Sequence, residues 1–377
     1  MDKYAYIKSL KNKKIIIGNG FDLQCGLKSK YSDFFERNEK SNELLHNEIK
    51  IIKNKIENTL LNLTKNEILN LFSNKNRKET NIWDLLFHLI YLKNYKMKNK
   101  EWNDIETTIE ESLLKYESTL NISWYNVWAE YNREYNLLEL DTNLLILLCV
   151  MNIKYGCNIS QAVDFFNILY KELKEFENMF AEYLSKHYIN NINRYNFSVC
   201  AKDLLKRMHC DSEFVSIESF NYFTKEYYGI NKSLKNINGT ISNPIFGIDS
   251  GLITPSSYNY IFTKTNRRLE TDISSNKLDN NLNFENLIIY GHSLNKADYN
   301  YFFPLFDKLD LVNNNASGKI IFEYSVYGTR TEYDVSMELK QKIYKILRSY
   351  AEYKGIKEYQ RFIDFLISDQ RIITYQV

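Results

Sequence analysis

Residues 14–22 read KIIIGNGFD, and this stretch decides the fold. Lys14–Ile17 is a short apolar, β-branched run that stops at Gly18, which is typical of a buried strand. Glycines directly after a strand let the backbone approach a pyrophosphate, and a following helix, here predicted to begin at Ser32–Glu36, supplies N–H donors. A tight turn without a ligand explains the same glycines. Asp22 lies where it would contact a ribose hydroxyl or cap the next turn.

The composition describes a globular chain without a global nucleic-acid footprint. The 377 residues fit one large domain or two, 44% are hydrophobic and 25% charged, and the formal net charge is only +2. A basic stretch at Lys93–Lys100 is interpreted as a solvated loop or helix end. We therefore expect no nucleic-acid partner.

The chain also lacks the patterns of an exported or membrane protein. Met1–Leu10 is polar, and the most apolar run, Leu144–Met151, is about half as long as a membrane span, so we predict a buried helix there. The five cysteines are scattered without CxxC spacing, which favours reduced thiols in a cytoplasmic protein and disfavours a zinc site. We expect a cytoplasmic protein with no metal.

The chain changes character twice. From about Tyr31 to Met208 glycine is scarce, and Glu43–Leu69, Ile105–Leu120 and Ile159–His187 show helical spacing of apolar residues. Before and after this block come short strand-like runs, and the later ones are Glu213–Glu218, Ile245–Ile248, Leu287–Tyr290, Lys319–Tyr327 and Ile372–Tyr375, with a helix at about Asp334–Lys354. Strands alternating with helices predict an α/β domain with a mostly parallel sheet and helices on both faces. We place this core at residues 1–31 and 212–377 and an all-α insertion at residues 32–211.

Three more polar clusters are placed at the level of the carboxyl ends of the strands, where open α/β sheets bind ligands. Asn221 follows the first strand after the block, and its amide would hold a water or a ribose hydroxyl, or serve as an ordinary turn residue. Asn238-Gly239 indicates a β-turn. Tyr290-Gly291-His292-Ser293-Leu294 with Asp298 would line a ligand wall, although a single histidine is more often structural.

These motifs, in this order, resemble the bacteriophage abortive-infection AbiH family. The residues that carry the resemblance are Ile15–Leu23, Gly26-Leu27, Tyr31–Phe34, Trp102–Glu106, Phe220–Tyr222, Phe246–Asp249, and Ile289–Leu294 with Asp298. It covers about Lys14 to Phe306, and its opening and closing motifs are the specific part.

The AbiH group is in turn similar to sirtuin-like proteins, several of which are antiphage NAD hydrolases. This resemblance implies a sirtuin-like, Rossmann-like fold and NAD as ligand or substrate. Asn221 would match the asparagine that positions the ribose or the attacking water, and Asn238 would occupy the second catalytic position. The implied binding residues are Gly18, Asn19, Gly20, Phe21, Asp22, Gly239, Gly291, His292, Ser293 and Asp298.

Asn238 departs from the pattern of these families, which usually carry a His-Gly pair where this chain has Asn238-Gly239. A histidine can accept a proton at neutral pH and an asparagine amide cannot, so the chain should bind well and turn over poorly. The asparagine would be an engineered inactivation, a feature of a natural pseudo-enzyme, or a sign that Asp22, Asp249 or His292 supplies the base.

Three functions are compatible with these features. The resemblance implies an abortive-infection effector, an NAD glycohydrolase that depletes NAD. Its helical insertion would cover the site, or it would bind a phage-derived trigger or a second subunit. We expect a homo-oligomer. A non-catalytic NAD or ADP-ribose sensor would use the same pocket. A nucleic-acid-directed toxin would need a metal cluster or a basic groove. Only the basic stretch Lys93–Lys100 favours such a groove.

Overall fold

The computed structural model describes most of the chain outside two long segments. Described are residues 2–31, 33–34, 81–87, 105–132, 142–155, 161–191, 194–208, 216–231, 233–249, 251, 253–270 and 283–377. The predicted helix Glu43–Leu69, the basic stretch Lys93–Lys100, Trp102–Asp104 and most of Ser32–Glu36 lie outside the described residues.

A six-stranded parallel sheet forms the centre of the fold. Its strands are β1 (Lys13–Ile17), β2 (Ser216–Ser219), β3 (Leu234–Asn236), β6 (Asn286–Tyr290), β7 (Lys319–Tyr324) and β8 (Ile372–Gln376). Their order across the sheet is β3-β2-β1-β6-β7-β8. The chain therefore builds outward from β1 in one direction and then from β6 in the other, as in a doubly wound α/β fold. The strand order reverses between β1 and β6, so this pair marks the switch point.

The central strands are apolar because both faces of the sheet are covered. Ile15 and Ile17 point into one hydrophobic cluster, whereas Ile16 points into the other. Ile288 and Ile289 of β6 divide in the same way. β1 and β6 pair in parallel from Lys13 opposite Asn286 to Ile17 opposite Tyr290.

Helices cover both faces. On the side of Ile15 and Ile17 lie α1 (Lys3–Ser9), α2 (Asn19–Gln24) and the helices of the long block: α3 (Ile105–Asn132), α4 (Thr142–Tyr155), α5 (Ala162–Asn191) and α6 (Arg194–Arg207). The opposite side carries α9 (Tyr299–Lys308), α10 (Glu332–Tyr353) and α11 (Tyr359–Ser368). Smaller elements are α7 (Lys225–Tyr228), the hairpin β4 (Gly239–Thr240) and β5 (Asn243–Pro244), the 3₁₀ helices η1 (Tyr258–Phe262) and η2 (Lys296–Asp298), and α8 (Lys264–Glu270).

The predicted α/β class and parallel sheet are confirmed. The buried helix expected at Leu144–Met151 lies within α4. α10 begins two residues before the predicted start, because Thr331 and Asp334 form a capping box that fixes its first turn. The division into an α/β core and an all-α insertion stays a prediction.

One local prediction is wrong, and two elements were not predicted. Ile245–Ile248 is not a strand: apart from an isolated bridge of Ile248 to Thr263 it is a buried loop. The backbone of this loop forms hydrogen bonds with side chains, since Phe246 N–H donates to Glu177 and Phe246 C=O accepts from Arg267. The helix α2, which begins at Asn19 with Gly18 as its N-cap, was not predicted, whereas Tyr31, Asp33 and Phe34 are helical, as expected near Ser32. β3 was not predicted at all.

The helices of the block and one face of the sheet share a single hydrophobic cluster. Phe176 and Phe180 of α5 pack against Phe246, and Glu177 between them forms a buried ion pair with Arg267 of α8 at 2.7 Å. None of the described helices combines the length and the apolar composition that crossing a bilayer requires.

Candidate functional site

The predicted site residues lie at the carboxyl edge of four neighbouring strands, β3, β2, β1 and β6. Ile237 N–H donates to Ser219 C=O, Phe220 N–H to Ile17 C=O, and Gly18 N–H to Tyr290 C=O. These backbone bonds join the ends of the strands into one continuous rim. The rim spans the switch point, where open α/β sheets bind ligands.

The glycines of the opening motif interlock with the loop after β6. A Cβ atom on Gly18 would lie 2.6 Å from His292 Cα, and one on Gly20 would lie 2.7 Å from Gly291 Cα. Gly291 has a left-handed φ of 66°, and a Cβ atom on it would lie 2.6 Å from Phe21 N. Gly20 N–H donates to Gly291 C=O at 2.8 Å. Close packing of two backbones therefore explains these glycines, and this N–H is already used within the protein.

Asn19 and Phe21 make internal contacts. The amide of Asn19 bonds with both the hydroxyl and the carbonyl of Ser29, which closes the loop after α2. Phe21 is fully buried and meets Tyr228 and Tyr290 edge-on. Asn19 is the exposed member of this turn.

Asn221, Tyr228 and Asp22 form a buried polar cluster beside Gly18. Asn221 Nδ2 donates to Gly18 C=O at 3.0 Å and lies 3.4 Å from Tyr228 Oη. Tyr228 Oη donates to Asp22 Oδ1 at 2.8 Å. Burial raises the pKa of Asp22 to about 7, although hydrogen bonds from Tyr228 and Asn221 act in the opposite direction. Asp22 is 2% exposed, so it reaches a ligand only through its neighbours.

Asn238 lies after β3 and is held by Arg268 of α8. An Arg268 Nη2–H donates to Asn238 Oδ1 at 3.3 Å, and the guanidinium lies over the ring of Tyr301. Burial lowers the pKa of Arg268. Gly239 adopts a left-handed φ of 79° at the start of the β4–β5 hairpin, where a Cβ atom would lie 2.1 Å from Asn243 C=O. The Asn-Gly pair is thus part of a hairpin.

His292 uses both ring nitrogens within the protein. Leu294 N–H donates to its Nδ1 at 2.9 Å, so the proton of the neutral ring is on Nε2, which lies 3.5 Å from Asp298 Oδ2. The ring packs edge-on against Phe220 and Phe302. This arrangement leaves no lone pair for a substrate, so His292 is poorly suited to be the alternative base.

Asp298 connects His292 to a buried lysine. Lys264 Nζ lies 2.5 Å from Asp298 Oδ1 and 2.8 Å from Glu106 Oε2, and its side chain is 4% exposed. Burial would raise the pKa of Asp298, but the Lys264 ammonium and His292 hold it well below its usual range. Burial would lower the pKa of Lys264, but the two carboxylates raise it. Because Glu106 is on α3, this ion pair ties the helical block to the rim.

The remaining predicted residues lie towards the surface. Ser293 is exposed beside His292. Asp249 accepts hydrogen bonds from Gly251 N–H and from the Asn300 amide. Within the described ranges, no three His, Cys, Asp or Glu side chains are arranged to hold a metal ion.

Sequence reasoning missed Tyr228, Lys264 and Arg268. Tyr228 is one of 30 tyrosines, so composition gave it no weight. Residues 264–270 read KTNRRLE, a pattern typical of a solvated helix, yet Lys264 and Arg267 are buried. A family motif gave the signal for Glu106, the partner of Lys264.

Comparison with protein-family models matches residues 15–319 to the family described as bacteriophage abortive infection AbiH. The chain belongs to the AbiH family. The match begins within β1 and ends at the first residue of β7, so it includes every rim residue of this AbiH protein. It agrees with a role in abortive infection of phage-infected cells. No curated protein matches the chain. No solved structure matches it either.

Proposed function

We propose that this AbiH protein binds NAD at the rim formed by β3, β2, β1 and β6 and cleaves the nicotinamide–ribose bond during abortive infection. The observation that carries the proposal is the convergence of Gly18, Asn221, Asn238 and Gly291 at the switch point of a doubly wound sheet. Dinucleotides bind at this position in such folds. The sirtuin-like resemblance of the motifs selects NAD among them.

The polar groups of the rim are better suited to bind a ribose hydroxyl of NAD than one of its phosphates. No described residue donates to Asn221 Oδ1, so this oxygen can accept a hydrogen bond from a ribose hydroxyl. Gly20 N–H is already bonded to Gly291, so the turn after β1 does not offer this donor to a phosphate. Arg268 supplies a positive charge beside Asn238.

Asn238 determines the expected rate. Cleavage of the nicotinamide–ribose bond passes through an oxocarbenium-like state and is helped by a base that takes a proton from water or a ribose hydroxyl. The Asn238 amide cannot accept that proton. General-base help contributes about a hundred- to ten-thousand-fold in rate, so the protein as it stands should bind NAD and release nicotinamide slowly.

The test is the variant Asn238→His. The Arg268 guanidinium would disfavour protonation of an imidazole at this position, so at neutral pH the ring would be free to accept a proton. We expect NAD to bind both proteins in calorimetric titration, and nicotinamide release to be faster with Asn238→His. Equal release in a timed assay would contradict the role of residue 238. Absence of NAD binding by both proteins would contradict the proposal as a whole.

A non-catalytic NAD or ADP-ribose sensor is the second candidate. It is favoured by the occupied nitrogens of His292 and the burial of Asp22, two of the three residues named above as alternative bases. NAD binding combined with no nicotinamide release by either protein would select this alternative.

A further inference from the structure

Asn221 is anchored through one side of its amide. Nδ2 lies 3.0 Å from Gly18 C=O and 3.4 Å from Tyr228 Oη, and no described residue donates to Oδ1. The residue is only 4% exposed, but Oδ1 is not among the buried atoms that lack a partner, so it is open to a ligand or water. The amide nitrogen of Asn221 is therefore hydrogen-bonded within the protein, whereas its amide oxygen can accept a hydrogen bond from a ligand.

The acceptors around Nδ2, which include the Asp22 carboxylate, fix which way the amide faces. Gly18 C=O can only accept a hydrogen bond. Tyr228 Oη donates its single hydrogen to Asp22 Oδ1 at 2.8 Å, so towards Asn221 it also acts as an acceptor. A flipped amide would place Oδ1 against these acceptors. The orientation of Asn221 is therefore set by a tyrosine from α7 and an aspartate from α2.

We propose that Tyr228 and Asp22 are positioning residues that hold the Asn221 amide with its oxygen presented to the ribose of NAD. Neither residue touches the ligand, because both are buried behind Asn221. The identity of the ligand as NAD rests on the proposed function, whereas the orientation of the Asn221 amide does not depend on it.

The orientation should depend on pH. Ionised Asp22 only accepts, so Tyr228 must donate to it and remain an acceptor for Asn221. Protonated Asp22 can donate to Tyr228 instead, which frees the tyrosine hydrogen to turn and weakens the constraint on the amide. Burial raises the pKa of Asp22 to about 7. The groups facing it are Tyr228 of α7, Asn221 after β2, and Cys25, which lies next to Cys200 of α6.

The decisive variant is Tyr228→Phe, which removes the hydroxyl and keeps the ring contacts with Phe21 and Phe197. Tyr188→Phe is the matched control, since Tyr188 is buried in the same aromatic cluster but its hydroxyl bonds Tyr227 C=O. By calorimetric titration, we expect Tyr228→Phe to bind NAD about five- to tenfold more weakly, the effect of one hydrogen bond. The control should stay within about twofold of the unmodified protein.

The pH profile separates positioning from packing. NAD affinity of the unmodified protein should rise as the pH increases through about 7, where Asp22 ionises. In Asp22→Asn, residue 22 no longer titrates, so this rise should disappear. A merely structural role for Asp22 would lower affinity equally at every pH, and that result would overturn the inference.

A readout without NAD distinguishes this inference from the proposed function. In protein labelled with ¹⁵N-asparagine, the side-chain NH₂ signals of Asn221, assigned by their loss in Asn221→Asp, should shift in Tyr228→Phe and stay in place in Tyr188→Phe. Unchanged signals would overturn the positioning role even if NAD binds. Shifted signals in a protein that binds no NAD would support the positioning role and contradict the proposed function.

Discussion

Gly20 shows that packing alone can account for one residue of a nucleotide-binding motif. Its N–H and its missing side chain are both used by the loop at Gly291, where a Cβ atom would approach to 2.7 Å. We expect Gly20→Ala to lower the free energy of unfolding by about 1–3 kcal/mol, the usual cost of overpacking. Urea denaturation measures this loss. Gly251→Ala is the control, since its nearest contact would be 3.4 Å; equal effects of the two variants would contradict the interlock.

Glu323 is a buried carboxylate with no use in the proposed function. Both its oxygens lack a partner among the described residues, and burial raises its pKa from 4.5 to about 8 despite the attraction of Lys13. Between these pH values the unfolded chain releases a proton that the folded chain keeps. Its contribution to stability is therefore complete below about pH 4.5 and is lost as the pH rises to about 8.

Glu323→Gln should remove this dependence. We expect the variant to gain stability relative to the unmodified protein as the pH increases from 5 to 8, by on the order of a few kcal/mol. Thermal unfolding at several pH values would measure it. Glu352→Gln, which alters an exposed carboxylate paired with Arg348, should show no such trend. A constant difference between Glu323→Gln and the unmodified protein would show that Glu323 does not titrate in this range.

At the scale of elements, α3 and α8 are joined by buried charge. Lys264→Met would leave the carboxylates of Glu106 and Asp298 buried without their shared cation, which costs about 3–5 kcal/mol. Urea denaturation should show this loss. Lys174→Met is the control, because Lys174 pairs with Glu270 at 3.2 Å on the surface and should contribute under about 1 kcal/mol. Similar losses in both variants would refute a special role for the buried pair.

Elements were predictable where burial alone decides the residue type. β1, β6, β7 and β8 lie between two covered faces, so apolar β-branched runs identify them. β3 is an edge strand of Leu234, Lys235 and Asn236 with half-buried side chains, and nothing in its composition separates it from a loop. Ile245–Ile248 is apolar because Phe246 fills the shared cluster, so the same signal misled there.

The rim was predictable in outline because parallel strands end at a common edge. This placed Gly18, Asn221 and Gly291 together, and the family resemblance added Asn238 although β3 was not predicted. The residues that orient them could not be found in the same way. Tyr228 and Lys264 lie within short helices and not at the end of a strand, and their burial depends on packing between distant parts of the chain.

The whole molecule should unfold as one unit, although the sequence suggests a core and an insertion. The sheet face of Ile15 and Ile17 is covered by helices of the block, and Arg267 of the core pairs with Glu177 of α5. Losing either part would expose apolar surface and unpair a buried charge in the other. A cooperative transition follows from this coupling.

The tryptophans make this testable. All four lie between Trp83 and Trp128, within the helical block, so their fluorescence reports mainly on the block, although Trp83 also contacts Phe262. Amide hydrogen exchange of β6 and β7 reports the sheet. We expect the two probes to give the same denaturant midpoint. Phe176→Ala in α5 should lower the free energy of unfolding by about 3–5 kcal/mol, and it should therefore lower both midpoints together. Separate midpoints, or a shift confined to the fluorescence, would instead show two units that fold independently and would make the helical block a removable domain.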